Sequence, residues 1–250
     1  MRPPAIMALG VLAYAVVLVA LLPARFVAAH LPPEVRAHVT LLEPDGTLWN
    51  GRARAIVTSA AGAVAVDRLE WRLRPERLLA LRVAFDVTAA LPGIDATFEL
   101  GRSPAAWEAR ELHAGGDIAA LSALVPWIAP WRPEGTFTAV ASSASWDGSS
   151  ARGAARVEWK RAAVALSSVR PLGSYAVELR ADSGPAKVVV TTLAGPLRIA
   201  AQGTLTPPGR FEASGEARAE GPDAAALEPL LDLLGPRRAD GSRALAWRTP

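Results

Sequence analysis

The sequence predicts a mainly β protein: an N-terminal transmembrane helix, then a periplasmic antiparallel β-sheet body built as two related repeats, each ending in a short helix. Three observations predict it. An uncharged apolar run opens the chain, short runs of alternating apolar and charged residues fill most of the remainder, and Gly, Pro, Asp and Ser punctuate those runs at turn-like intervals.

The apolar run is Ala5 to Leu22, eighteen residues without a charge. At about 1.5 Å per residue it just reaches the hydrocarbon thickness of a bilayer. Arg2 and the terminal amine precede it and Arg25 follows, so charge favours a cytoplasmic N-terminus by roughly one unit. Nearly all of the chain lies on the C-terminal side, which reads as a signal anchor with an exported body. The small residues Val27-Ala28-Ala29 are the competing reading, a cleaved signal peptide. The apolar run is longer than the roughly 7–15 residues of a signal core, and Arg25 and Phe26 stand between it and that site.

Leu31-Pro32-Pro33 breaks any helical continuation, and the strand pattern follows. Leu69, Trp71 and Leu73 alternate with Arg68, Glu70, Arg72 and Arg74, and Leu81, Val83, Phe85 and Val87 repeat the pattern. Further strands are expected at Ala96-Phe98-Leu100, Val157-Trp159, Tyr175-Val177-Leu179, Leu197 to Leu205 and from Phe211 onward. Segment 187–193 carries Val or Thr on both parities, which predicts a strand covered on both faces. Two stretches read as helices: Asp117 caps IAALSALV ahead of Pro126, and Asp223 caps AAALEPLLDLL, with Gly235 at the C′ position and Pro229 inside.

Internal echoes support two repeats. Gly46-Thr-Leu-Trp49 returns as Gly135-Thr-Phe-Thr138, and Leu69-Glu-Trp71-Arg72 as Val157-Glu-Trp159-Lys160, about 90 residues on. The helix start at Asp117 returns at Asp223 with a larger offset. The expected organisation is a cytoplasmic tip at 1–4, the anchor at 5–24, a linker at 25–44, a first β-rich repeat at 45–132, and a second at 133–250 with the C-terminal helix and final strand.

Composition excludes several functions. Absence of Cys rules out disulfides, zinc fingers, iron–sulfur clusters and thiol catalysis. A net charge of +3 gives no basic surplus for nucleic acid, and no aromatic and basic stripe accompanies it. His30, His38 and His113 are too few and too scattered for a His-based metal site. No G-x-S-x-G is present, and Asp147-Gly148-Ser149-Ser150 reads as a turn. No glycine pattern cradles phosphate. No cofactor, metal, catalytic residue or small-molecule substrate is expected. Trp127 and Trp131, in a Pro-bracketed loop, are a candidate contact patch for a partner or membrane surface, unless the loop folds back on the sheet.

One run carries a family resemblance. Asp45-GTLWNGRA-Arg54, shortly after an anchor and a Pro-containing linker, strongly resembles the type II secretion system protein N family of bacteria. The resemblance continues through Leu69-Glu-Trp71-Arg-Leu-Arg-Pro75, Val157-Glu-Trp159, Pro171-Leu-Gly-Ser-Tyr175 to Leu179, the Asp182-Ser-Gly-Pro185 turn, Gly203-Thr-Leu205, and an ending with Leu231-Asp-Leu-Leu-Gly235 and Asp240-Gly241 to Trp247. Two features depart from the family pattern: 136–155 is rich in Ala and Ser, and Arg243-Ala244 stands where an aromatic is common.

The resemblance implies an accessory inner-membrane component of the machinery that moves folded proteins from the periplasm across the outer membrane. Its partners would be other subunits of that machinery and the bilayer, and no enzymatic step is implied. Gly46, Thr47, Leu48, Trp49, Gly51, Arg52 and Trp71 form the family motif, serving as a folding element or an interaction site. The alternative is a membrane-anchored groove for lipid, resembling the AsmA family. The two readings differ in whether helices cover the apolar sheet face or leave it open.

Overall fold

A computed structural model describes residues 21–30, 36–59, 62–78, 80, 82–103, 106–147, 150–206 and 210–248. Residues 5–20 of the expected anchor lie outside these, and among the described residues no helix is long and apolar enough to cross a membrane. The first element is a short helix, α1 (Ala24–His30), which contains Val27-Ala28-Ala29.

Strands β1 (Val39–Gly46), β2 (Asn50–Ser59) and β3 (Gly62–Leu73) follow, then a one-turn helix α2 (Pro75–Leu78), and β4 (Val83–Leu91), β5 (Ile94–Arg102) and β6 (Trp107–Asp117). Two 3₁₀ helices, η1 (Ile118–Ala123) and η2 (Pro126–Trp131), precede the longest strands, β7 (Pro133–Trp146) and β8 (Ala151–Val164). Then come β9 (Gly173–Asp182), β10 (Ala186–Ala194), β11 (Leu197–Thr206), β12 (Arg210–Ala219), helix α3 (Ala224–Leu234) and β13 (Arg243–Arg248). Among the described residues these strands form one 13-stranded sheet whose spatial order is the sequence order. Antiparallel pairing through short connections produces this meander, since each strand finds its partner in the next one along the chain.

Side chains alternate across a strand, so register sorts them into two faces. One row of directly opposed partners crosses twelve strands as Ala53, Leu69, Ala89, Ala96, Ala114, Ala139, Val157, Val177, Val190, Ala201, Gly215 and Leu245. The neighbouring row reads Arg52, Glu70, Thr88, Thr97, His113, Val140, Arg156, Glu178, Val189, Gln202, Ser214 and Ala246. The sheet is therefore apolar on one side and polar on the other, as the alternating patterns predict. Trp71, Phe85, Val87, Tyr175 and Leu179 all belong to the apolar side; Leu81 lies outside the described residues.

Segment 187–193 corrects one expectation. Among the described residues no second layer covers it: Val188 is buried on the apolar side while Val189 and Leu193 are exposed. Its Val and Thr content reflects strand propensity and not two-sided burial.

Consecutive strands reverse direction, which gives the sheet two rims. β6 and β12 end at the same rim, and the helices that follow them fold over the apolar face there. Ile118 packs with Ile94 and Phe137, joined by Leu121 and Trp159. Leu227, Leu230 and Leu231 pack on Val164, Leu172, Leu197, Ala217 and Leu245. Their spacing, continued by Leu234, is the i, i+3, i+4, i+7 stripe of an amphipathic helix.

Both helices differ locally from expectation. The first is 3₁₀, closed by Leu124 and Val125 N–H groups that both donate to Leu121 O at 2.9 and 2.8 Å ahead of Pro126. Neither Asp117 nor Asp223 makes a side-chain cap bond. Gly235 is extended and not left-handed; it is required there because a Cβ would collide with the Ala244 carbonyl. A third cluster, Ala55, Val66 and Ala89 with Val57 and Leu69, lies within the first strands.

Candidate functional site

The opposite rim carries the features that position a functional surface. It holds the β1–β2, β5–β6, β7–β8 and β9–β10 turns.

At the β1–β2 turn lies the Gly46–Arg52 motif. Thr47 N–H donates to Asn50 O at 2.8 Å, and Asn50 N–H donates to the Thr47 hydroxyl at 3.0 Å. Gly46 has φ +85°, and a Cβ there would stand 2.6 Å from Asn50 O, so glycine is demanded twice over. A Cβ on Gly51 would stand 2.5 Å from Trp71 Cζ2. The missing side chain lets the Trp71 indole lie across β2 and donate from Nε1 to Leu48 O at 3.0 Å. Leu73 N–H bonds Trp49 O at 2.6 Å. Arg52 donates from Nε and Nη2 to Asp45 Oδ2 at 3.0 and 2.7 Å, and this guanidinium holds the Asp45 carboxyl below its ordinary range.

The motif also grips the chain upstream. Leu48 N–H donates to Leu22 O at 2.8 Å, Pro23 bridges Thr47, and Ala24 is buried. The end of the Ala5–Leu22 run is thus fixed to this rim.

Further along it, none of the described residues covers the apolar face. Leu100, Trp107, Trp146, Ala155, Leu179 and Ala186 line an open groove of about 340 Å³, with Ala109, Ala144 and Gly153 as its floor. These residues come from six successive strands, β5 to β10, so the sheet curls around its apolar side. Shifts of register at Thr97/Glu99 and Trp159/Ala162, with Glu111 and Arg161 at positive φ, supply bulges that bend the strands. Arg102, Trp107, Trp146 and Ala151 are successive cross-strand partners at the mouth. The Arg102 guanidinium lies 4.9 Å from the Trp107 ring centroid. Trp107 and Trp146 are 42% and 40% exposed.

Charge on the polar side is largely satisfied within itself. Buried Glu99 receives Arg74 and Arg77 at 2.9 and 3.1 Å, and the Arg74 pKa is raised chiefly by its hydrogen bond to Asp86 at 2.7 Å, with Glu99 adding to it. Arg156 bonds Glu158, lowering its pKa, and Glu178. His113 is exposed on this face. Asp147 accepts from the Ser150 N–H and hydroxyl at 2.8 and 2.6 Å, as a turn aspartate does. Among the described residues no three of His, Asp and Glu converge as metal ligands.

Trp131 belongs to the covered rim: it is half-buried in η2 and packs on the α3 cluster. The Trp127 side chain lies outside the described residues. The structure therefore brings Gly46, Thr47, Leu48, Trp49, Gly51, Arg52 and Trp71 together and leaves Trp131 apart from them. Sequence reasoning missed Arg102, Trp107 and Trp146. The available signal was the Ala/Ser-rich 136–155 region, whose small side chains at alternate positions form the groove floor between two tryptophans.

A family model described as type II secretion system (T2SS), protein N, matches residues 37–246. No curated protein and no solved structure matches the chain. The family match runs from just before β1 into β13, and the chain belongs to this family.

Proposed function

We propose that this member of the type II secretion system protein N family is an accessory inner-membrane component of the secretion machinery, supporting export of folded proteins from the periplasm across the outer membrane. It is anchored by one span over Ala5–Leu22, with its sheet in the periplasm, and it acts without catalysis through contacts with other subunits. The observation that carries this reading is the family match across nearly the whole sheet, together with a signature turn that clamps the end of the apolar run. A sheet with a polar outer face, and with the edge of β13 beyond Ala244 outside the bridge to 236–238, offers side-chain packing and strand addition as contact modes.

A second reading has a specific observation in its favour. The open groove leaves part of the apolar face available to lipid, as the alternative of a membrane-anchored lipid-binding groove requires. Gene deletion separates the two. Exoproteins trapped in the periplasm behind an intact outer membrane support the secretion role, whereas dye entry with normal export supports lipid handling and removes the first reading.

A further inference from the structure

We propose that the open rim is a membrane-contacting edge, with Trp107, Trp146 and Arg102 seated among phospholipid headgroups and the groove behind them receiving acyl chains of the same bilayer. This rests on the anchor reading above and is independent of whether lipid is carried anywhere.

Four observations converge on that rim. Among strand positions on the apolar face, the exposed large apolar side chains gather there: Val83 (41%), Trp107, Trp146 and Trp247 (37%). Among paired strand positions of the described residues, that face carries charge at two places, Arg102 at the open mouth and Arg243 beneath α3. Tryptophan with an adjacent arginine matches the bilayer interface: an apolar ring enters it, an indole N–H stays wet, and a long cationic stem reaches phosphate. The occupant is indicated by the chain itself, because the Ala5–Leu22 run ends at this rim, where Leu22 and Pro23 bond the Thr47–Leu48 turn. From β2 to β6 is four strand spacings, about 19 Å along the rim, so a bilayer holding the anchor lies within reach of Trp107.

The chain has no native cysteine, which permits a direct test with the full chain reconstituted in phosphatidylethanolamine–phosphatidylglycerol vesicles. Nitroxide labels are placed singly through Trp107→Cys, Trp146→Cys, Leu12→Cys and Leu166→Cys; Leu166, 53% exposed, lies at the opposite rim. Val83→Cys repeats the rim position without removing a tryptophan, and circular dichroism verifies the sheet in each variant. The expected result is collision with oxygen exceeding collision with an aqueous nickel chelate at 12, 83, 107 and 146, and the reverse at 166. If 83, 107 and 146 behave like 166 while 12 remains lipidic, the membrane edge is overturned and the anchor stands. Aqueous behaviour at position 12 as well overturns the anchor and this inference with it. Chelate exclusion at 83, 107 and 146 without oxygen enrichment indicates a protein occupant and overturns the lipid assignment.

Discussion

The two ends of one apolar face differ in how they are finished. At the helical rim, Leu227 and Leu231 are completely enclosed against Val164, Leu197 and Leu245. At the open rim, at the other ends of strands in the same sheet, the residues facing outward are alanines and glycines flanked by half-exposed tryptophans. Both ends arise from the same alternation, so alternation alone does not determine coverage. Coverage follows from whether the connecting segment is long and apolar, as at 118–131 and 224–234, or a tight polar turn, as at Asp147–Ser150 and Asp182–Pro185. The core resides beneath these long apolar segments, and the groove lies beside the short turns.

The contrast predicts unequal responses to truncation. Leu227→Ala or Leu231→Ala costs about 2–5 kcal/mol, because a cavity opens among packed side chains. Trp146→Ala at the groove mouth costs about 1 kcal/mol or less. Chemical denaturation of the detergent-solubilised chain measures both, and equal losses would mean that the open rim is also core.

Gly51→Ala sharpens the comparison at the signature turn. The new methyl must displace Trp71 from β2, an overpacking cost of about 1–3 kcal/mol. Since the turn holds Leu22 and Pro23, limited proteolysis should accelerate near Ala24–His30 while α3 remains protected; uniform acceleration would contradict local anchoring.

Arg243, on the apolar face beneath α3, tests the covered rim through its ion pairs. It is 3% exposed, donates to Glu228 and Asp232 on α3 at 2.6 and 2.5 Å, and leaves Nε and Nη1 without partners. Its acids are themselves accessible, so Arg243→Met strands no buried charge and should change stability by about 1 kcal/mol or less. A loss of several kcal/mol would identify the ion pairs as the main fastening of α3.

pH separates the ends as well. Tyr175, buried on the apolar side and donating to Leu197 O at 3.0 Å, has its pKa raised by burial. A raised folded value leaves its contribution intact below the unfolded pKa of roughly 10 and removes it progressively above. Tyr175→Phe should therefore blunt alkaline unfolding. Asp45 behaves oppositely: its depressed folded value makes the Arg52 pair available at neutral pH and lost as pH falls through that value. Both partners are exposed, so Asp45→Asn should give the smallest effect, visible as a loss of acid dependence in turn protection by hydrogen exchange.

Strand patterns were legible wherever a polar side chain alternated with an apolar one, as in 68–74 and 175–179. Helix positions were legible from apolar runs bounded by Pro or Gly, down to the ends of α3. Four features were not. The 3₁₀ form of η1 depends on closure at Leu121 O. The role of Gly235 depends on Ala244, nine residues on. One-sided exposure of β10 depends on there being no second layer. The groove depends on curvature that brings β5 and β10 around one space. Each is a long-range relation that local periodicity does not encode. The motif residues were legible as a cluster, but their hold on Leu22 was not. The internal echoes also acquire a geometry: Trp71 and Trp159 both donate to a backbone carbonyl at 3.0 Å, yet from β3 and β8, five strands apart and therefore at opposite rims.

The sequential order of the strands imposes a parity rule on change. Inserting one hairpin between β6 and β12 keeps η1 and α3 on a common side, because six strands become eight. Inserting a single strand would carry α3 to the other side and unroof its leucines. Length variants of this architecture should therefore differ by even numbers of strands, with the groove widening or narrowing by whole hairpins while both ends keep their character.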